Sequence, residues 1–135
     1  MQAKPGYEAL ENILQDALNQ AQSGKGKDRH AGQNEPFLDQ QIMEMSRRQR
    51  NISGPAYQAH KKLYEAEGMF GRSEYSAAKQ EILGAIVYAS AMVAKIDESV
   101  EDLRKMSETL TAPGPGIYRS DVYPRAHAFK NPIEY

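Results

Sequence analysis

Residues 82–110 read "ILGAIVYASAMVAKIDESVEDLRKMSETL", and their periodicity decides the fold. Ile82, Ile86, Ala89, Val93, Ile96, Val100 and Leu103 follow one another at alternating steps of four and three, and Leu110 lies one heptad beyond Leu103. A strand alternates in twos, whereas steps of three and four gather side chains on one stripe of an α-helix. Upstream, Ser73 is the expected N-cap, with Glu74 in the first turn; only Gly84 interrupts the run before Pro113. The pattern therefore predicts one helix of roughly 35 residues, well beyond the usual globular length. Its early half, "ILGAIVYASAMVA", is apolar nearly all round and rich in small residues, so it is expected to be buried with other helices close by. Its later half is charged outside the stripe. A seam of this regularity suits lengthwise pairing with other helices, which makes Val93, Ile96, Val100, Leu103 and Leu110 the expected homo-oligomer interface.

Working outward, "GYEALENILQDALNQAQSG" (6–24) spaces Tyr7, Leu10, Leu14, Ala17, Leu18 and Ala21 as one amphipathic helix between Pro5 and Gly24. "PFLDQQIMEMSRRQR" (36–50) repeats the pattern through Leu38, Ile42 and Met45, and its terminal Arg47, Arg48 and Arg50 suit a helix C-terminus. After Ser53-Gly54-Pro55, the residues Ala56, Ala59, Leu63, Ala66 and Phe70 share a face. The expectation is an all-α fold: a bundle of about four helices over 1–112, ending in the long heptad helix. Residues 113–135, "PGPGIYRSDVYPRAHAFKNPIEY", have no helical period. Their prolines favour extended backbone, while Tyr118, Tyr123, Phe129 and Tyr135 are too apolar for an ordinary solvated tail. An arm docked on its own domain or on a neighbouring subunit is expected, adding those four aromatics to the interface.

Composition narrows the function classes. Seventeen Lys and Arg against eighteen Asp and Glu leave a net charge of −1, without the basic footprint of a sequence-specific nucleic-acid binder. The absence of Cys removes disulfides and thiolate metal sites. His30, His60 and His127 lack the close spacing of a helical metal pair. No run approaches the roughly 20 apolar residues of a membrane span, and "MQAKPGYEAL" has no signal-type apolar core. A soluble, cytoplasmic protein is expected.

Between the first two helices lies "SGKGKDRHAGQNEPF" (23–37). It lacks the preceding strand and the GxxxxGK[ST] spacing of a phosphate-binding P-loop. What it offers is Lys25, Lys27, Arg29 and His30 on a glycine-rich backbone ahead of a helix start, either a solvated linker or an anion site. In the second case a nucleotide would rest its phosphates on Lys27 and Arg29 and stack its base on Tyr57 or Tyr64.

Residues 61–96, "KKLYEAEGMFGRSEYSAAKQEILGAIVYASAMVAKI", resemble the core helix pair of the all-α NTP pyrophosphohydrolases, the MazG-like family. That resemblance implies a helical hairpin whose acids hold Mg²⁺ over a triphosphate, with Glu65 or Glu67 as the first acid and Glu81 opening the second helix. Asp97 is a further candidate. Ala66, Met69 and Ala85 stand where the family continues its acids. The resemblance thus implies a fold relative with a depleted Mg²⁺ site, which points away from catalysis and needs no cofactor. Short all-α chains with a long heptad helix and an arm also look like phage-encoded accessory or virion proteins, located in a host cytoplasm or a virion.

Overall fold

The computed structural model describes residues 2–23 and 35–111. Four α-helices account for most of them: α1 (Glu8–Ser23), α2 (Gln41–Gln49), α3 (Ser53–Gly71) and α4 (Tyr75–Thr111), with a 3-10 turn, Phe37–Asp39, ahead of α2. Among the described residues there is no strand. The all-α bundle with a long C-terminal helix, 37 residues in α4, is the architecture the periodicity predicts. Lys25, Lys27, Arg29 and His30, and the arm with Tyr118, Tyr123, Phe129 and Tyr135, lie outside the described residues.

The chain divides into two compact units, Met1–Glu101 and Asp102–Tyr135, and α4 contributes residues 75–101 to the first and 102–111 to the second. In the first unit, helix ends are set by local polar contacts. The Glu8 carboxylate accepts the Gly6 N–H at 2.9 and 3.1 Å. Bonding to its own N–H and to that of Gly6 holds the Glu8 carboxyl below its ordinary pKa. Gly6 has φ +90, a conformation that only glycine adopts without strain. At the start of α3, Asn51 Oδ1 accepts the Ser53 N–H at 2.9 Å.

The turn between α3 and α4 differs from expectation. Ser73 does not cap α4; it sits at φ 61 as the left-handed residue that terminates α3. Its N–H bonds to the Phe70 carbonyl and the Glu74 N–H to the Met69 carbonyl, the paired bonds of a Schellman ending. Glu74 takes the capping position, its carbonyl accepting the Ala78 N–H. The sequence cue fails because a serine one residue earlier is consumed by the preceding helix.

The core is compact and built of modest side chains. Ile42 and Met43 of α2 pack on Tyr88 and Ala91 of α4, flanked by Phe37, Ala59, Val87 and Ala94. Tyr88 thus fills the core, as its place on the apolar half of the helix suggests. The buried faces of α2 and α3 match the expected ones only in part: Ile42, Ala59 and Ala66 face the core as expected. α2 turns Ile42, Met43 and Ser46 inward, while Leu38 remains exposed in the 3-10 turn. α3 buries Pro55 and Ala66, leaving Leu63 exposed and Phe70 packed edge-on against the Tyr75 ring, centroids 5.2 Å apart. A Cβ at Gly54 would collide with Met45 Sδ, so the glycine permits the close approach of α3 to α2.

Candidate functional site

α4 carries two stripes with the same stride. Glu81, Gly84, Tyr88, Ala91, Lys95 and Glu98 advance in alternating threes and fours, as does the larger series from Ile82 to Leu110. The first stripe faces the rest of its unit. Lys62 of α3 reaches Glu81 at 2.8 Å, and a Cβ at Gly84 would lie 3.0 Å from the Lys62 chain. Tyr88 and Ala91 meet α2. Arg47 of α2 then clasps Glu98 through two nitrogens, Nη2 at 2.5 Å and Nε at 3.2 Å, while Lys95 lies 3.9 Å from the same carboxylate. Arg47 also donates to the Leu38 carbonyl at 2.7 Å, tying the 3-10 turn to α2. The hydrogen bond from Arg47, reinforced by its charge and that of Lys95, holds the Glu98 carboxyl below its ordinary pKa; the same bond raises Arg47.

The second stripe, expected to be the packing seam, is the outward one. In the first unit Ile82, Ala89, Val93, Ile96 and Val100 are exposed and Ile86 is half-buried; in the second, Leu103 and Leu110 are exposed. Val100 keeps 59% and Leu103 65% of its surface in the open. The core uses the stripe of small residues because Gly84 and Ala91 let helices approach closely, and the large aliphatics on the other stripe are left over. Sequence reasoning missed the contact stripe from Glu81 to Glu98, although its signal was present as a second series at the same stride. Ranking residues by hydrophobicity hid a stripe that begins and ends with a glutamate.

The acids implied by the pyrophosphohydrolase resemblance sit on α3 and α4 beside lysines. Lys61 lies 3.8 Å from Glu65, and Lys62 holds Glu81. Glu67 and Asp97 are exposed. Among the described residues no three His, Asp or Glu side chains gather into a set able to hold a metal ion. Tyr57 and Tyr64, seven residues apart on one side of α3, are exposed rings open to stacking.

A shallow groove of about 300 Å³ separates α1 from α4, lined by Asp16, Asn19, Gln20, Ser23, Lys79, Gln80 and Leu83. Lys79 pairs with Asp16 at 2.9 Å, and Gln20 Nε2 donates to the Gln80 carbonyl at 3.1 Å. These polar links dock α1, whose Leu10, Ile13, Leu14 and Leu18 remain exposed. Comparison with known proteins returns no matching family model, no matching curated protein and no matching solved structure. No helix among the described residues is long and apolar enough to cross a membrane.

Proposed function

We propose that this chain works by binding, as a non-catalytic helical homo-oligomer assembled through the outward stripe of α4. One observation supports the reading above others: large aliphatic side chains at heptad spacing, Val93, Ile96, Val100, Leu103 and Leu110, lie exposed along a helix whose opposite stripe already serves the core. Contiguous exposed apolar surface of this kind marks an association site. The assembled protein presents the basic loop, Lys25, Lys27, Arg29 and His30, to a nucleotide-like anion, with Tyr57 or Tyr64 as the stacking ring. A small oligomeric binding protein of this design fits an accessory or virion role in a phage.

The test begins with light scattering at micromolar concentration on the full chain and on a Val100→Glu, Leu103→Glu variant. The wild type is expected to be oligomeric and the variant monomeric, with helical circular dichroism retained in both; a monomeric wild type removes the reading. Calorimetric titration of a nucleotide panel then addresses the loop: Arg29→Ala is expected to weaken binding more than Lys25→Ala, because only Arg offers a two-pronged contact. The helical hairpin of α3 and α4, which brings Glu65, Glu67 and Glu81 onto neighbouring helices, favours one second reading, a Mg²⁺-dependent nucleotide pyrophosphohydrolase. Mg²⁺-dependent release of pyrophosphate from a deoxynucleoside triphosphate panel would establish it in place of the first.

A further inference from the structure

We infer that the α4 seam pairs with a second copy of itself in antiparallel orientation, in a register centred between Val100 and Leu103. The inference rests on assembly through α4 and adds the partner, the direction and the layer-by-layer contacts. With Val93 and Val100 at a positions and Ile96 and Leu103 at d positions, an antiparallel pair matches a layers with d layers. Placing Val100 against the partner's Leu103 sets Ile96 against the partner's Ser107 and Val93 against the partner's Leu110. The exposed run from Val93 to Leu110 is thereby mapped onto itself end to end, with none of its aliphatics left outside the overlap.

Burial does not choose the direction, since a parallel pair covers the same side chains. Charge does. Residues 97–102 carry Asp97, Glu98, Glu101 and Asp102, and the next two charges are Arg104 and Lys105. A parallel pair in register lays the acidic stretch of one helix beside the acidic stretch of the other. The antiparallel register lays its first half, Asp97 and Glu98, alongside the partner's Arg104 and Lys105, while Glu101 and Asp102 cross at the centre on b and c positions turned away from the seam. It also brings Asp97, at an e position, opposite the partner's Arg104, also at e, and repeats that contact by symmetry on the other side of the centre. In a parallel pair Asp97 would face the partner's Met92, and Arg104 the partner's Ser99, so neither charge would gain an opposite. Arg104 already pairs with Glu108 one turn along its own exposed surface, a contact weak enough to be shared. Glu98, held by Arg47, stays on the core stripe and leaves the seam apolar.

The chain has no cysteine, so single-site labelling is direct. Ser90 is exposed, off the a and d positions of the seam, and its hydroxyl bonds to the Ile86 carbonyl one turn back. A spin label on Ser90→Cys reads the direction by pulsed electron paramagnetic resonance. In the antiparallel register the two labels lie 23 residues apart along the axis, about 35 Å at a rise of about 1.5 Å per residue. In a parallel pair they lie within roughly 20 Å of each other, on helices about 10 Å apart. A second measurement leaves Ser90 untouched: Ser107→Cys alone should form no disulfide dimer, because its copies are about 16 Å apart and bridging requires Cα atoms within roughly 7 Å. Mixed with Ile96→Cys, it should form a disulfide heterodimer. Dimeric mass with the long distance and the heterodimer supports the inference. Dimeric mass with the short distance, or a Ser107→Cys homodimer, overturns the orientation and leaves assembly through α4 standing. A trimeric mass overturns the two-stranded register, and a monomeric wild type overturns both readings.

Discussion

At the scale of single residues, two positions hold a side chain where another would serve stability better. Ser73 adopts φ 61 to close α3, a left-handed conformation that costs an L residue about 1–2 kcal/mol relative to the right-handed one and costs glycine almost nothing. Ser73→Gly is therefore expected to stabilise the protein by roughly 0.5–1 kcal/mol, the remainder being offset by the added freedom of the unfolded chain. The midpoint of urea unfolding reports it, and a fall in that midpoint would refute the assignment of the turn. Ser46 is the second case: it is wholly buried in α2, at 0% exposure, and its hydroxyl has no hydrogen-bond partner among the described residues. A buried polar group left unpaired costs about 1–3 kcal/mol, so Ser46→Ala should raise stability by about 1 kcal/mol, read by the same unfolding curve. Neither position was legible beforehand. Ser73 reads as a helix start because serine suits that place equally well, and the burial of Ser46 depends on which way α2 is rotated against α4.

At the scale of elements, the clasp of Arg47 on Glu98 joins α2 to α4 where the apolar core ends. Both side chains keep about a third of their surface in water, so the pair is screened, and Glu98→Gln should destabilise by only about 0.5–1 kcal/mol near pH 7. The pH dependence has a definite sign. Because Glu98 ionises more readily folded than unfolded, its contribution is fully present above the ordinary carboxylate value of 4.5 and is lost as pH falls through the lower folded value. The stability gap between wild type and Glu98→Gln should hold steady from neutral pH down to that region and then close. Chemical denaturation at a series of pH values checks it; a gap that widens in acid would contradict the direction of the shift. Helix existence and length were readable from spacing alone, α4 above all. Helix rotation was legible only in part: Ile42 and Ala66 lie on the expected faces and are buried, but Leu38, Leu63 and Phe70, which look like core on hydropathy, are exposed while Met43 is buried.

At the scale of the whole molecule, the balance of buried and exposed apolar groups bears on how the fold is maintained. Among the described residues the large apolar side chains buried below one tenth exposure are Ile42, Met43, Pro55, Leu83 and Tyr88, and most of the rest of the apolar core is alanine. Fully burying a valine or leucine contributes roughly 1.5–3 kcal/mol, so the exposed aliphatics of α4 represent stabilisation that is realised only on association. By mass action, the melting temperature should rise with protein concentration for the wild type and stay flat for the Val100→Glu, Leu103→Glu variant. Differential scanning calorimetry over a hundredfold concentration range tests this, and a flat wild-type response would count against assembly. The sequence by itself determined the helical class, the length of α4 and the presence of an unusually regular aliphatic seam, because those properties follow from local spacing along the chain. Only the tertiary structure decided which of the two stripes on α4 meets the core. That choice turns on how closely helices can approach across Gly84 and Ala91 and on the reach of Lys62 and Arg47 from other helices, contacts between residues far apart in sequence that no local pattern contains.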